Sequence, residues 1–196
     1  MKGNKKKVSS NFFNLQIEAN RPTPISPSSN QTEKQESFPY SDSNIYIDRE
    51  GKWFHNGAPI NRKELLKLFS GVLQKDQEDR FWLVTPAEKE EIIVEDAPFM
   101  AVELLVKGKG KKQNLVFRTN MDEYVQASLS HPIKIHGNCE TGEPEPYILV
   151  RNNLDAKLTR SVFYQLVDLG VEEYEREGRT FGVWSNGTFF EIGKLN

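Results

Sequence analysis

Three arginines stand where they could grip an anion. Arg118 closes the apolar run Leu115-Val116-Phe117 and precedes Thr119-Asn120. Arg151 closes Ile148-Leu149-Val150 and precedes Asn152-Asn153. Arg160 falls beside Val167 on a wheel of about 100° per residue, at the border of an apolar face. Guanidinium forks match carboxylate and phosphate oxygens two at a time. If the three converge they make an anion site, with Thr119 and Asn120 to orient a ligand and Trp53 or Phe99 as an apolar wall. The other reading is structural pairing, because carboxylates outnumber Lys and Arg by 28 to 26. A half-buried arginine generally has a partner of its own.

Other candidates carry less. Asp96 in Glu95-Asp96-Ala97-Pro98 could work as an acid or base, with Glu88 as a second carboxylate, or could be the bend residue before Pro98. His55, His131 and His136 are far apart, which suits turns and strands better than a metal. Glu172-Glu173-Tyr174-Glu175-Arg176-Glu177 reads as a solvated connector, because like charges at that density repel. Trp53, Trp184 and Phe163 suit a core, although an aromatic at a domain junction can stack on a ring. No phosphate loop, nucleophile elbow or His-Glu metal signature occurs. The residues therefore point to binding, with no catalytic residue, no metal and no cofactor expected.

Bulk composition narrows the class. The 196 residues leave room for one domain or two small ones. A chain 37% hydrophobic and 28% charged is expected to be soluble and globular. Its longest apolar runs fall far short of the roughly 20 residues needed to span a bilayer. The basic start Lys5-Lys6-Lys7 is followed by Ser9, Ser10, Asn11 and Asn14, not by the apolar stretch of a secretion signal. A single cysteine, Cys139, excludes an internal disulfide and a cysteine-based zinc site. A cytoplasmic setting is expected. A net charge of −2 argues against a general nucleic-acid binder.

The elements that must position these residues begin near Ile45. Residues 1–44, rich in Pro, Ser, Asn and Gln around Arg21 to Gln31, read as a disordered tail. Its one apolar spot is Phe12-Phe13-Asn14-Leu15-Gln16-Ile17, a leftover patch or a docking peptide. Two Asn-Gly pairs, Asn56-Gly57 and Asn186-Gly187, each follow a tryptophan by two or three residues and predict tight hairpins. A helix is predicted from Asn61 as its cap, with Glu64 in a capping box and Leu65, Leu66, Leu68, Phe69, Val72 and Leu73 on one face. Strands are expected near 45–47, 53–54, 81–84, 91–95, 99–106, 115–118, 124–127, 133–136 and 147–150. A second helix is expected from about Leu154 to Leu169, capped by Asn153 and ended by Gly170, before the closing hairpin 181–192. The organisation expected is α+β, with antiparallel sheets and a repeated hairpin and helix motif. It divides into the 1–44 tail, an α/β unit at 45–88 and a β-rich unit at 89–196 with one long helix.

Many stretches together resemble the bacterial domain-of-unknown-function family 1285. They include Asp48-Arg49-Glu50-Gly51-Lys52-Trp53-Phe54, Pro59-Ile60, Leu83-Val84-Thr85-Pro86-Ala87-Glu88-Lys89 and Asp96-Ala97-Pro98-Phe99. Further on come Phe117-Arg118-Thr119-Asn120, His131-Pro132, Pro146-Tyr147-Ile148-Leu149-Val150-Arg151, Arg160-Ser161-Val162-Phe163-Tyr164 and Phe181-Gly182-Val183-Trp184-Ser185. Asn152-Asn153 departs from a glycine-containing spot in the family pattern. The resemblance implies a duplicated α/β core, a C-terminal half like a pleckstrin-homology domain, and an interdomain cleft for a nucleotide-like ligand in signalling or stress response. The function expected is non-catalytic binding of an anionic, nucleotide-like small molecule at that interface. The rivals are a pleckstrin-like module that holds a protein partner at a strand edge, and a hydrolase built on Asp96 or Glu88.

Overall fold

The computed structural model describes residues 44–138, 141–175 and 178–195. The N-terminal tail, Cys139 and the end of the acidic run, Arg176-Glu177, lie outside the described residues. The first half runs β1 (Ile45–Ile47), β2 (Trp53–His55), β3 (Ala58–Pro59), α1 (Lys63–Val72), β4 (Leu73–Lys75), β5 (Phe81–Val84) and β6 (Lys89–Val94). These strands form one sheet in the order β3-β2-β1-β6-β5-β4. Strand 89–94 falls on the far side of the boundary expected at 88, yet it pairs with β5 and β1.

The second half runs β7 (Phe99–Lys107), a 3-10 turn at Gly110–Lys112, β8 (Asn114–Thr119), β9 (Tyr124–Gln126), β10 (Ile133–Gly137), β11 (Pro144–Arg151) and β12 (Leu154–Leu158). Then come α2 (Arg160–Asp168), β13 (Val171–Glu175), β14 (Gly178–Ser185) and β15 (Thr188–Leu195). Six strands form a sheet in the order β10-β11-β12-β7-β8-β9, and β13-β14-β15 form a small third sheet. The protein is thus mostly β with two helices. The two large sheets are mixed rather than antiparallel, because β1 pairs parallel with β6, and β12 with β7.

Several local expectations change. Residues 154–158 are a strand, not the start of a long helix: Leu154, Ala156 and Leu158 are buried while Asp155 and Lys157 point the other way. Asn152 and Asn153 are not a helix cap but a two-residue turn with φ of 43° and 62°, which joins β11 to β12. Asparagine tolerates the left-handed region well enough to stand where glycine is usual. The helix that follows has only nine residues, from Arg160 to Asp168. Asn61 does not cap α1 either; Arg62 holds that position, with no side-chain cap. Leu73 begins β4, and Leu68 is 45% exposed rather than on the buried face. Residues 171–175 of the acidic run are strand β13, paired with β14.

Both Asn-Gly hairpins form as expected, with φ of 48° and 78° in the first and 50° and 73° in the second. Element order nevertheless assigns a different counterpart to the first hairpin. A hairpin, a helix and a three-stranded meander occur twice, as β2-β3-α1-β4-β5-β6 and as β11-β12-α2-β13-β14-β15. The match to Asn56-Gly57 is therefore Asn152-Asn153, and Asn186-Gly187 belongs to the meander. One core runs through both halves: Trp53, Phe69 and Leu83 from the first, and Phe99, Phe117, Leu154 and Leu166 from the second. The expected packing of α1 on the first hairpin is present, with Phe69 stacked on Trp53 at 6.3 Å between ring centroids.

Candidate functional site

A cleft of about 590 Å³ opens where the two halves meet. Its first wall is the turn 48–51, which carries Arg49 and Glu50. Asp48 shapes this turn by accepting from the N–H groups of Glu50 at 3.0 Å and Lys52 at 2.8 Å. Gly51 completes it at φ +70°, and a Cβ there would stand 2.6 Å from Cγ of Met100. Glycine thus allows both the left-handed turn and its close approach to β7. Asn120 holds the turn in place: its Nδ2 donates to the Gly51 carbonyl at 3.2 Å, while its Oδ1 accepts from the Met100 N–H at 3.1 Å.

The rest of the lining comes from β7, β11, β12 and the first turn of α2. Met100, Val102 and Phe163 supply apolar surface, and Thr159 and Arg160 supply polar groups. Three cations, Arg49, Lys157 and Arg160, line the cleft with three carboxylates, Glu50, Glu143 and Glu145. Lys157 and Glu145 already pair at 3.1 Å. Arg160 is 87% exposed and only 3.9 Å from Glu143. The Arg49 guanidinium has no ion pair among the described residues. Arg49 and Arg160, from different halves of the chain, thus line one cleft, and neither is in an ion pair shorter than 3.9 Å.

The three arginines do not share one site. Arg118 donates through Nε to Glu103 at 2.5 Å and through Nη1 to Asp122 at 3.1 Å. Asp122 also accepts Lys63 at 2.7 Å and Lys67 at 2.9 Å, both from α1. Arg151 pairs with Glu123 and donates through Nη2 to the Ser70 carbonyl at 2.8 Å, near the end of α1. Its guanidinium lies 5.2 Å from the centre of the Phe99 ring. Arg151 thus fastens α1 to the second sheet directly, Arg118 holds the Asp122 carboxylate that does so through Lys63 and Lys67, and the structural-pairing reading holds for both. Thr119 is buried, and its hydroxyl accepts from the N–H groups of Met121 and Glu123, which fixes the turn that presents Asp122 and Glu123.

Of the residues expected at the site, Asn120 and Arg160 line the cleft. Trp53 and Phe99 are each 1% exposed and belong to the core, so neither is a ligand wall. Asp96 lines a separate hollow of about 180 Å³. It accepts from the Tyr147 hydroxyl at 2.7 Å and pairs with Lys157. Burial and that bond to Asp96 push the Tyr147 phenol well above its usual range. Hydrogen bonds from Asn138 and then Lys157 hold the Glu145 carboxyl below its ordinary value. A carboxylate held ionised in this way is poorly suited to donate a proton near neutrality. Among the described residues no group of three His, Cys, Asp or Glu side chains is placed to hold a metal. No helix among them is long and apolar enough to cross a membrane.

Sequence reasoning missed Arg49, Thr159 and the charge-balanced walls. The available signal was Asp48-Arg49-Glu50-Gly51, in which Asp and Gly three positions apart form a tight turn that displays the two charged residues between them.

Two family models match the chain. Residues 36–97 match "Domain of unknown function (DUF1285), N-terminal domain", and residues 98–192 match "Protein of unknown function (DUF1285), C-terminal domain". The crystal structure of a DUF1285 family protein from Silicibacter pomeroyi DSS-3 is 45% identical in sequence. That alignment covers 79% of this chain and 81% of that one, with a TM-score of 0.72. The crystal structure of a DUF1285 family protein from Shewanella baltica OS155 is 23% identical over 64% of this chain and 91% of that one, with a TM-score of 0.50, and shows the likeness of fold alone. No curated protein matches.

Proposed function

The chain belongs to the DUF1285 family, and we propose that it binds a small anionic, nucleotide-like molecule in the cleft between its two halves, without chemistry. The observation that carries this reading is the pair of arginines that line one cleft from the two halves, Arg49 on the turn 48–51 and Arg160 at the start of α2. Both are held on well-fixed backbone and neither is tightly matched to a carboxylate. A cleft of about 590 Å³ is in the size range of drug-sized ligand sites. Met100, Val102 and Phe163 offer a ring an apolar floor, while Thr159 and Asn120 offer polar contacts for orientation. The balance of three cations against three carboxylates favours a single phosphate or carboxylate over a polyphosphate, whose charge would meet Glu50 and Glu143 at close range. Such a binder suits a signalling or stress-response role.

Two observations favour binding over the rivals. Asp96 is already held by Lys157 and Tyr147, which leaves it poorly placed as a free general acid or base. The edge strand β9 has only three residues, a short template for a partner's strand.

The test is a thermal-shift and calorimetric screen of mononucleotides against the full chain and its Arg49→Ala and Arg160→Ala variants. A ligand at 100 times its Kd should add about 2.7 kcal/mol of stability. Each substitution should cut that gain to about 0.4–1.4 kcal/mol at the same ligand concentration, as a tenfold to hundredfold weaker Kd requires, while leaving the unliganded melting temperature near that of the parent. Absence of any shift with millimolar mononucleotides would overturn the reading.

A further inference from the structure

A second surface stands apart from the cleft. Lys107-Gly108-Lys109-Gly110-Lys111-Lys112 joins β7 to β8 and places four lysines in six residues, on a chain whose net charge is −2. The loop is built rather than loose. Gly108 has φ +84°, and a Cβ there would stand 3.0 Å from the Lys112 carbonyl oxygen, so the turn closes tightly on itself. Gln113, 6% exposed, nails the loop to the last hairpin. Its side chain donates to the Trp184 carbonyl at 2.8 Å, and its own carbonyl accepts from the Asn186 N–H at 2.9 Å.

Charge and apolar surface meet at this loop. Lys111 pairs with Glu173 at 3.0 Å and lies 4.5 Å from the centre of the Trp184 ring. Trp184 packs on Phe189 at 5.3 Å, and both rings are half-buried. The register that aligns Glu173 with Thr180, and Thr180 with Lys194, puts Lys194 on the same face of the small sheet. Lys107, Lys109, Lys112 and Lys194 are exposed, and among the described residues none of them is in an ion pair. At the foot of the loop Leu105 and Val106, on opposite faces of β7, are 36% and 43% exposed.

We propose that this loop docks the protein on an anionic lipid surface. Four unpaired ammonium groups beside exposed aliphatic side chains and a half-buried aromatic pair suit the boundary where anionic head groups meet acyl chains. The geometry favours this partner over nucleic acid. Single-strand binding uses open aromatic faces for base stacking. Here Lys111 covers the Trp184 ring, and Glu173 accepts its indole N–H at 3.0 Å. The loop is short and isolated, without the extended basic stripe of a nucleic-acid binder.

The test is co-sedimentation of the full chain with vesicles of pure phosphatidylcholine and of phosphatidylcholine with 30% phosphatidylserine. The chain should pellet with the anionic vesicles at about 0.1 M salt, remain in solution with the neutral ones, and be released at about 0.5 M salt. The variant K107Q/K109Q/K112Q should lose about a hundredfold in partitioning, with its circular dichroism and melting temperature unchanged, because none of the three lysines is in an ion pair. The variant K2Q/K5Q/K6Q/K7Q, which neutralises the N-terminal lysines, should still pellet. Three results would overturn the proposal: no pelleting of the parent chain, undiminished pelleting of the loop variant, or loss that follows the N-terminal lysines alone. Retention of the parent on DNA or heparin, with no affinity for the vesicles, would also overturn it in favour of another polyanion.

Discussion

Asn120 donates from its side-chain amide to the carbonyl of Gly51 at 3.2 Å, across 69 positions of sequence. The same side chain accepts from the Met100 N–H, so one asparagine fastens the turn that carries Arg49 to the strand that floors the cleft. The junction between the two halves is therefore polar at this point, with both side-chain atoms of one amide in use.

Asn120→Ala should lower stability by about 1–3 kcal/mol in urea unfolding, because it leaves one donor and one acceptor without partners. Asn120→Asp should be no better, since it keeps the acceptor for Met100 but turns a carboxylate towards the Gly51 carbonyl. An effect of either substitution within about 0.5 kcal/mol would show that the clip adds nothing.

Phe69 is fully buried and stacks on Trp53 at 6.3 Å. Phe69→Ala should cost about 3–5 kcal/mol, measured by denaturant midpoint at unchanged slope. Leu68→Ala, one residue earlier on the exposed side, should stay within about 0.5 kcal/mol. Equal losses at the two positions would mean that α1 buries a different face.

Arg151 and Arg160 should separate stability from binding. Arg151→Ala strips partners from Glu123 and the Ser70 carbonyl, so the fold should lose about 1–3 kcal/mol while mononucleotide affinity of the folded protein is unchanged. Arg160→Ala should do the reverse, weakening binding tenfold to about a hundredfold with little change in unfolding. The two readouts moving together in both variants would contradict the division between latch and ligand site.

Acid should loosen the seam between α1 and the second sheet. Hydrogen bonds from Lys63 and then Lys67 hold the Asp122 carboxyl far below the ordinary carboxylate range. A folded pKa below the unfolded one gives stability that is present above the unfolded value and is lost as pH falls through the folded value. Asp76 behaves alike at about 2: burial alone would raise it, but the Trp82 indole and the Arg80 hydrogen bonds outweigh that. Stability should therefore fall as pH drops from about 5 towards 2. Asp122→Asn should be less stable at neutral pH and flatter in that acid window. A variant with the same acid slope as the parent would show that Asp122 is not part of the linkage.

How much was legible in the sequence can be judged residue by residue. Asn56-Gly57 and Asn186-Gly187 announced hairpins because positive φ is a local demand that few residues meet. Alternating or continuous apolar runs located β5, β7 and β8 within a residue and the second half of β11, and the periodicity around Phe69 located α1. Leu154-Asp155-Ala156-Lys157-Leu158 carries the period of a strand, but it adjoins a helix pattern whose apolar residues extend the helical reading back to Leu154. Arg118 and Arg151 were visible as strand-end arginines; their roles were not. Their carboxylates lie 15 and 4 residues away for Arg118 and 28 away for Arg151, and the Ser70 carbonyl lies 81 away.

The sequence by itself determined the hairpin turns, most strands, the first helix and the family. Each of these depends on neighbours along the chain or on the chain's own pattern. Tertiary structure alone decided the parallel pairings β1·β6 and β12·β7, which align strands far apart in sequence and make the two large sheets mixed. It alone decided that two of three similar arginines are clamps and that Arg49, on a turn in the other half, lines the same cleft as Arg160. A guanidinium is strongly held by whichever carboxylate reaches it at about 3 Å, and that distance is set by packing, not by spacing along the chain.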